Sequence, residues 1–456
     1  MGGQTTAVQV TGFTESYKKP IFIIDGKQAS PTTHCSLAIA EVTDGEALIL
    51  VPESLAVMLA DDVEELVEMA MNSEKLCEKF KTKLREQVDT NFKVRIVPSA
   101  GLFVSRKNFE ARYSTDFDLI RASFFLIFLE LLAEGRNIYF DVSSGLNVYP
   151  ASGLRALYDA ATYQMLENFN HLLNNVEAVS RPRIVFYGQV NTDGEVVRPR
   201  AEEIEMRVLK EFPLSVEEIE RISSSVFQLN IQNPNQINRI VSQGFRSFNC
   251  LVLNIPLPLY DEKTINLIDE DVVLACEREV SQALTSSIDR KSVSRNGSQV
   301  LVERKLGLNA GFMIRLLYAL ALTRSLMRMI KELRGFVTED GVPLKAIREF
   351  FLNRVYRDGG FRGWFWQNRF LLENELGTIE EAAEKLQPNQ SMLLKDLLER
   401  RGSGDSRRNF FAHSGFLSEI TNVTKDHVGK IYLSYKFSAS EKKPSTIHDW
   451  LSLKKR

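Results

Sequence analysis

The sequence is poor in the residues that build disulfide frameworks and metal sites, with four cysteines and five histidines among 456 residues. The cysteines are far apart, so neither a CxxC metal site nor a disulfide framework is predicted. The chain also lacks the HExxH, EF-hand and GxSxG patterns of zinc proteases, calcium-binding loops and serine hydrolases. We therefore predict no metal site, and unpaired cysteines fit a reducing cytoplasm.

Long hydrophobic runs are missing as well. The most apolar stretch, Ala122–Ala133, contains Glu130 and is too short to span a bilayer. The apolar stretch Met313–Met327 is interrupted by Arg315 and Arg324. Because the polar N-terminus shows no secretion signal, we expect a cytoplasmic protein with no membrane partner.

The composition is that of a folded chain, with 44% hydrophobic and 25% charged residues, and the length favours two or three domains. Charge is unevenly distributed. Residues 1–300 carry 30 Lys and Arg against 41 Asp and Glu, whereas residues 301–456 carry 27 against 18. Such asymmetry is typical of a polyanion-binding module on a separate platform, but charge also varies between domains without functional meaning.

Apolar strands alternate with helical segments over the first 190 residues. The predicted strands are Pro20–Asp25, Ala47–Pro52, Phe92–Pro98, Asn137–Val142 and Arg183–Val190. This alternation predicts an α/β domain with a Rossmann-like, doubly wound parallel sheet. Ligands of such sheets bind beyond the carboxyl ends of the strands, where we expect the loops Gly26–His34 and Asp141–Asn147.

The remaining chain is predicted to hold a middle insert and an all-helical bundle. In the insert, Leu251–Pro258 resembles a strand and Ser287–Gln299 a polar linker. Helical periodicity then dominates, and Arg407–Glu419 is predicted to open one of the last helices. The predicted domains are residues 1–195, 196–304 and 305–456.

A short polar run, Arg408–His413, is the most informative feature of the C-terminal part. It places a guanidinium, a carboxamide and an imidazole on about one and a half turns of a predicted helix. Metal-free RNA cleavage needs such groups, because arginine stabilises a phosphorane and histidine transfers protons near neutral pH. Alternatively, Arg408 is solvated, Asn409 caps the helix and His413 is partly buried. The two intervening phenylalanines, which would anchor the helix in a core, favour the first interpretation.

A second polar run, Asp141–Asn147, follows a predicted strand. Ser143, Gly145 and Asn147 supply a hydroxyl, a closely approachable backbone and a carboxamide, which suit phosphate binding. The alternative is an ordinary strand-to-helix turn, in which Gly and Asn are favoured anyway.

The first loop offers similar groups in Gly26, Ser30 and Thr33. His34, in the same loop, either contacts a ligand or is an exposed loop residue.

Basic and aromatic residues interleave over Arg354–Phe370, which suits stacking and phosphate contact with single-stranded RNA. Alternatively, the aromatic residues belong to a core and the arginines are solvated. The candidate RNA-binding residues are Arg357, Arg362, Trp364 and Arg369.

The two polar runs together resemble a known family. The pattern Arg408-Asn409-…-His413 resembles the RNxxxH motif of HEPN ribonuclease domains, and Asp141-x-Ser143-x-Gly145-x-Asn147 resembles the sensor loop of CARF domains. The combination is similar to the CRISPR-associated ancillary ribonucleases of type III systems, the Csx family. Many relatives have histidine where this chain has Ser144, so a role that needs an imidazole there is lost.

The resemblance implies an endoribonuclease of antiviral defence that is switched on by a cyclic oligoadenylate, the tetramer in particular, and that needs no metal or other cofactor. His413 would act as general acid or base, Arg408 would bind the scissile phosphate, and Asn409 would position them. The substrate would be single-stranded RNA, and a homodimer, or a higher homo-oligomer, would form the composite active site. The implied activator-binding residues are Gly26, Ser30, Thr33, Asp141, Ser143, Ser144, Gly145 and Asn147.

Two alternatives remain at this point. The chain is either this enzyme or a cyclic oligoadenylate-sensing scaffold or regulator whose helical domain only dimerises. A third possibility is a toxin-like ribonuclease that is active without a small molecule. The intact Arg408, Asn409 and His413 set favours an enzyme over the scaffold, because a degenerate domain need not keep it.

Overall fold

The computed structural model describes residues 4–11, 18–85, 91–143, 147–170, 181–188, 190–204, 211–226, 231–304, 309–356, 367–399, 405–437 and 443–453. The chain forms two compact units. The first comprises Met1–Gln164, Val179–Arg207 and Val280–Ile314, and the second comprises Met165–Ala178, Val208–Glu279 and Arg315–Arg456. This differs from the predicted three-part division, because residues 196–304 are shared between the two units instead of forming an insert of their own.

Within the described residues, the strands in chain order are β1 (Thr5–Val10), β2 (Ile21–Ile24), β3 (Lys27–Gln28), β4 (Glu46–Pro52), β5 (Phe92–Val97), β6 (Gly101–Val104), β7 (Glu110–Ser114), β8 (Asn137–Asp141), β9 (Arg183–Phe186), β10 (Val196–Val197), β11 (Arg200–Glu203), β12 (Ser292–Asn296), β13 (Gln299–Glu303), β14 (Val342–Pro343), β15 (Gln390–Leu393), β16 (Thr421–Lys425) and β17 (Ile431–Tyr435).

The α-helices of the same residues are α1 (Cys35–Thr43), α2 (Ala56–Leu59), α3 (Val63–Met71), α4 (Ser73–Arg85), α5 (Phe117–Ala133), α6 (Val148–Glu167), α7 (Val216–Glu220), α8 (Ile222–Val226), α9 (Pro234–Val252), α10 (Leu257–Tyr260), α11 (Glu270–Asp289), α12 (Ala310–Arg334), α13 (Leu344–Ile347), α14 (Gln367–Ala383), α15 (Leu394–Leu397), α16 (Ser406–Ala412) and α17 (Pro444–Leu451). A 3₁₀ turn spans Glu53–Leu55, and a π-helical segment spans Arg348–Val355.

The first unit is built on a six-stranded sheet of order β11-β9-β8-β1-β4-β5. All neighbouring strands are parallel except the edge pair β11 and β9. Helix α1 covers the face that carries Ala7 and Tyr139. On the opposite face, the ring of Phe140 lies 5.4 Å from that of Phe128 in α5. The predicted doubly wound parallel sheet is therefore confirmed.

Two predicted elements of the first unit need correction. The predicted strand Pro20–Asp25 exists as β2, but it belongs to a separate three-stranded sheet of order β10-β2-β3. The central position of the main sheet is instead taken by β1, which is not among the predicted strands. The predicted linker Ser287–Gln299 mostly forms the hairpin of β12 and β13, which extends a second sheet of order β12-β13-β7-β6.

The second unit is mainly helical but also contains a four-stranded sheet. Its order is β14-β17-β16-β15, with every neighbouring pair antiparallel. The prediction of an all-helical bundle is therefore too narrow for this unit. The predicted strand Leu251–Pro258 is wrong, because these residues form the end of α9, the turn after it and the start of α10.

Helix α12 is the one helix of the described residues that is long and apolar enough to cross a membrane. Its most apolar stretch is 89% buried inside the protein. That burial matches the environment of a core helix, whose apolar residues pack against protein on all sides.

Candidate functional site

The polar run Arg408–His413 lies on α16, a short helix with a defined beginning and end. The carboxylate of Asp405 caps the helix by accepting hydrogen bonds from the backbone N–H groups of Arg407 and Arg408, at 2.9 and 3.4 Å. The last helical residue is Ala412, and His413 leaves the helical conformation at φ −110°. The predicted helix Arg407–Glu419 is therefore only about two turns long.

Aromatic packing fixes α16 to the core of the second unit. Phe410 is fully buried, and its ring centroid lies 5.2 Å from that of Trp450 and 5.6 Å from that of Phe411. Arg408 is exposed and Asn409 is half-buried. The helix thus presents its polar groups at the surface while an aromatic residue between them holds it in place.

The turn after α16 is held on both sides. Ser414 adopts φ +52°, and its Oγ accepts a hydrogen bond from Nδ2 of Asn254 at 2.9 Å. Gly415 adopts φ +77°, and a Cβ at that position would lie 2.5 Å from Cγ2 of Ile255. Only glycine fits this close approach, so the backbone that carries His413 has little freedom.

His413 contacts one carboxylate from a neighbouring helix. Its Nδ1 lies 3.1 Å from Oε1 of Glu375, which belongs to α14. The two side chains are 37% and 26% exposed, so the pair lies at the surface rather than in the core. Sequence reasoning missed Glu375, because the contact crosses 38 residues and follows no local spacing rule.

The candidate RNA-binding segment is only partly described. Arg357, Arg362 and Trp364 lie outside the described residues. Arg369 is described, and its Nη1 donates a hydrogen bond to the backbone oxygen of Leu352 at 3.3 Å. Its guanidinium therefore has a structural partner, and a role in RNA binding stays a prediction.

The carboxyl ends of β1 and β8 form a second candidate site. From β1 the chain proceeds to β4 and β5 on one side, while β8 and β9 occupy the other side. Gln9 of β1 pairs with Asp141 of β8 at the ends of these strands. In open parallel sheets, this reversal of strand order opens the crevice where ligands bind.

A buried histidine links the end of β1 to the start of α1. Nε2 of His34 lies 2.9 Å from Oγ1 of Thr11, and Nδ1 lies 2.7 Å from Oγ1 of Thr33. Burial lowers the pKa of His34 to about 4, so the imidazole is neutral at pH 7. The alternative of an exposed loop histidine is thus wrong, and the ring positions two threonines at the carboxyl edge.

Asp141 ends β8 at the same edge. Its Oδ1 accepts a hydrogen bond from the backbone N–H of Ser143 at 2.8 Å. The hydroxyl oxygen of Ser143 in turn accepts from the backbone N–H of Tyr187, also at 2.8 Å. Burial raises the pKa of Asp141 to about 6, against the opposing effect of the hydrogen bonds from Ser143. The edge therefore contains a carboxyl group that titrates near neutral pH.

The other predicted activator-binding residues are placed as follows. Exposed Asn147 precedes α6 directly, at the end of the loop that leaves β8. Ser144 and Gly145 lie outside the described residues. Gly26 occupies the turn between β2 and β3, and the hydroxyl of Ser30 donates to Glu41 at 2.8 Å. The structure thus places Thr33, Asp141 and Ser143 at the sheet edge and Asn147 directly before α6, whereas Ser30 bonds to Glu41 and Gly26 belongs to a different sheet.

Comparison with protein families gives two matches, each covering one of the candidate sites. The family model described as "CRISPR system endoribonuclease Csx1, CARF domain" matches residues 6–189, and the model described as "CRISPR system endoribonuclease Csx1, HEPN domain" matches residues 366–437. The chain belongs to the CRISPR-associated CARF–HEPN ancillary ribonucleases. No curated protein matches it.

Family membership assigns a broad function to each candidate site. The CARF match contains the switch-point edge with Thr11, His34 and Asp141, and CARF domains bind cyclic oligoadenylate. The HEPN match contains α14 and α16, and HEPN domains act on RNA. The chain is thus a CRISPR-associated ribonuclease regulated by cyclic oligoadenylate. Among the described residues, no group of three or more His, Cys, Asp or Glu side chains is placed to hold a metal ion.

Proposed function

We propose that this CARF–HEPN protein is a metal-independent endoribonuclease that cleaves single-stranded RNA when cyclic tetra-adenylate binds its first unit. One observation carries the proposal. A single short helix, capped by Asp405 and anchored in the core by Phe410, presents Arg408 and Asn409 at the surface of the HEPN region, and His413 directly follows its last residue. These side chains supply the charge stabilisation and proton transfer that RNA cleavage requires without a metal.

The proposed reaction is an attack by the ribose 2′-hydroxyl on the adjacent phosphorus. The bond between the 2′-oxygen and phosphorus forms while the bond from phosphorus to the 5′-oxygen breaks. His413 takes the proton of the 2′-hydroxyl or supplies a proton to the departing 5′-oxygen, and water carries the other of these two protons. Arg408 holds the scissile phosphate through bidentate hydrogen bonds, and Asn409 positions both groups. The products are a 2′,3′-cyclic phosphate and a 5′-hydroxyl.

A homodimer, the smallest assembly that brings two copies of α16 together, is the proposed functional unit. Positions five residues apart on an ideal α-helix lie about 140° apart around its axis, because five residues turn the helix through about 500°. Arg408 lies within α16 and His413 directly follows its last residue. They therefore do not share one stripe of the helix, and a groove between two helices lets both reach one phosphate. Two helices related by a two-fold axis form such a groove.

The activator site is proposed at the carboxyl edge of β1 and β8. Thr33, Ser143 and Asn147 offer hydroxyl and carboxamide groups to phosphate and ribose, and Ser144 and Gly145 complete the proposed loop. A cyclic tetramer has a two-fold axis, as a dimer of this chain would, so two identical edges can share one ring. We place the protein in the cytoplasm.

The experiment that tests the chemistry compares two RNAs, one unmodified and one with a single 2′-deoxy position at the cut site. The 2′-deoxy RNA is expected to resist cleavage there, and the unmodified RNA to yield cyclic phosphate ends. His413→Ala is expected to lower the rate about 100- to 10,000-fold. His427→Ala, at an exposed histidine, is the matched control and is expected to cleave normally. Cleavage of the 2′-deoxy RNA would contradict the proposed reaction.

The same preparation tests the activator site. Asn147→Ala is expected to raise the activator concentration needed for half-maximal cleavage while the maximal rate stays the same. Cyclic rings of three, four and six adenylates are compared side by side, and the tetramer is expected to activate at the lowest concentration. If the ring binds but no RNA is cleaved, the sensing scaffold becomes the better account.

A further inference from the structure

The contact between His413 and Glu375 determines which ring nitrogen of the histidine is free. Nδ1 of His413 lies 3.1 Å from Oε1 of Glu375. An ionised carboxylate accepts hydrogen bonds and donates none, so the shared hydrogen belongs to Nδ1. In the neutral ring, Nε2 is then the nitrogen with a free lone pair. The carboxylate thus selects the tautomer in which Nε2 can accept a proton.

The pair of His413 and Glu375 lies at the surface and is not part of the packed core. Glu375 is 26% exposed and the imidazole is 37% exposed, so neither group is needed to fill an interior volume. The two residues lie on different elements, α14 and the end of α16, and both elements fall within the HEPN match. The contact therefore sets the orientation of a surface imidazole relative to the helix that carries Arg408.

We propose that Glu375 is a positioning residue for RNA cleavage: it holds Nδ1–H of His413 so that Nε2 faces the substrate, and it stabilises the imidazolium that forms when Nε2 takes a proton. This inference rests on the proposed ribonuclease function. Glu375 acts through the histidine and touches no reacting atom in this role. A base oriented by a third group is a recurring solution in proton-transfer catalysis.

Steady-state kinetics of activated cleavage test the catalytic part of the inference. Glu375→Gln keeps the shape but loses the charge, and its amide can donate to Nδ1 and favour the wrong tautomer. We expect kcat to fall about 10- to 100-fold, as for other groups that orient a functional histidine, with KM unchanged. Glu375→Asp keeps the charge and is expected to recover part of the lost rate. Glu373→Gln, at an exposed position of the same helix, is the control and is expected to behave as the unchanged protein.

Nuclear magnetic resonance of ¹⁵N-histidine-labelled protein tests the positioning part without any RNA. With five histidines in the chain, the His413 signals are assigned from their loss in His413→Asn. The unchanged protein is expected to show the Nδ1–H tautomer, and Glu375→Gln is expected to lose that preference while Glu373→Gln keeps it. An Nε2–H tautomer in the unchanged protein, or the same spectrum in Glu375→Gln, would overturn the inference.

The two experiments separate this inference from the proposed function. If no variant and no condition gives RNA cleavage but the tautomer depends on Glu375, the positioning contact stands and the ribonuclease assignment fails. If RNA is cleaved and Glu375→Gln retains full kcat, the ribonuclease assignment stands and the role of Glu375 is refuted.

Discussion

Arg304 donates two hydrogen bonds, of 2.6 and 2.7 Å, to the carboxylate of Glu53, although 251 residues separate the two in sequence. Both side chains are buried, and Lys291 donates a third hydrogen bond to the same carboxylate at 2.7 Å. Glu53 follows β4 directly, and Arg304 follows β13. The ion pair therefore ties the hairpin of β12 and β13 to the sheet of the first unit.

Breaking this buried ion pair is expected to destabilise the first unit. Glu53→Gln leaves a buried guanidinium without its counter-charge, and such changes lower the free energy of unfolding by about 3–5 kcal/mol. Arg95→Met, which removes an ion pair between half-exposed Arg95 and Glu130, is the control and is expected to cost at most about 1 kcal/mol. Urea denaturation, followed by far-ultraviolet circular dichroism, gives the midpoint for each variant and for the unchanged protein. Equal midpoints for Glu53→Gln and the unchanged protein would show that the buried ion pair adds no stability.

The same pair predicts acid sensitivity. Burial opposes ionisation of Glu53, but hydrogen bonds and charge from Arg304 and Lys291 outweigh it and hold the pKa below its usual value. A carboxyl group with a lowered pKa stabilises the folded state above its unfolded pKa, and this contribution disappears as the pH falls through the folded pKa. Denaturation midpoints measured from pH 6 downward are expected to fall less in Glu53→Gln than in the unchanged protein.

His34 is expected to make the first unit less stable in mild acid. Its pKa is about 4 in the folded protein, because burial disfavours the charged ring, against about 6.5 when unfolded. The unfolded chain therefore binds the proton more readily, and stability is lost as the pH falls from about 6.5 to about 4. The loss attributable to this group amounts to about 3 kcal/mol. His34→Gln lacks the titrating ring, so its denaturation midpoint should vary less over this interval.

Asp141 is expected to make activator binding depend on pH. Its pKa of about 6 means that the carboxyl group loses its charge as the pH falls below 6, and an uncharged group repels the phosphates of the activator less. Its neighbours His34 and Cys35 stay neutral between pH 5 and 8, since burial lowers the pKa of the first and raises that of the second.

Calorimetric titration with cyclic tetra-adenylate at pH 5.5 and 7.5 measures this effect. We expect binding about fivefold tighter at pH 5.5, which corresponds to about 1 kcal/mol from a single charge. Asp141→Asn carries no titrating group and is expected to bind equally at both pH values. A pH dependence that persists in Asp141→Asn would assign the effect to another group.

Gly415 is expected to be essential for the placement of His413. Gly415→Ala forces a side chain into φ +77° and places its Cβ 2.5 Å from Cγ2 of Ile255. Gly429→Ala is the matched control, because Gly429 has φ +86° but no atom within 4 Å of an added Cβ. Both variants carry a backbone penalty of about 1 kcal/mol, but only Gly415→Ala should lose most of its activated RNA cleavage. Equal rates of activated RNA cleavage in Gly415→Ala and Gly429→Ala would show that the turn at Gly415 is not needed for catalysis.

The sequence predicted four of the five parallel strands of the main sheet, because β4, β8 and β9 contain apolar runs and β5 alternates apolar with charged residues. It missed β1 because this central strand includes Thr6 and Gln9, which look like surface residues. In the structure both are buried, and Oε1 of Gln9 accepts a hydrogen bond from the backbone N–H of Ser36 at 3.0 Å. A tertiary partner at the start of α1 thus makes a polar residue compatible with the sheet interior, and no local pattern reveals it.

For the candidate site, too, the sequence predicted the residues that are neighbours in the chain but not the contacts between distant segments. Arg408, Asn409 and His413 are neighbours in sequence, so one short helix and the residue that ends it suffice to bring them together. Glu375, Thr11 and the orientation of His34 depend on contacts between segments that are distant in the chain, and spacing rules carry no information about such contacts. The polar, turn-rich composition of Ser287–Gln299 likewise suggested a linker. The hairpin of β12 and β13 becomes part of a sheet because β13 pairs with β7, which lies far upstream and follows no local pattern.

The most direct test of the switched ribonuclease is cleavage of a labelled single-stranded RNA in EDTA, with and without cyclic tetra-adenylate. We predict cleavage only when the activator is present, at a rate that EDTA leaves unchanged and that His413→Ala lowers about 100- to 10,000-fold. Equal cleavage without the activator would contradict the switch, and loss of cleavage in EDTA would contradict the metal-free chemistry at His413.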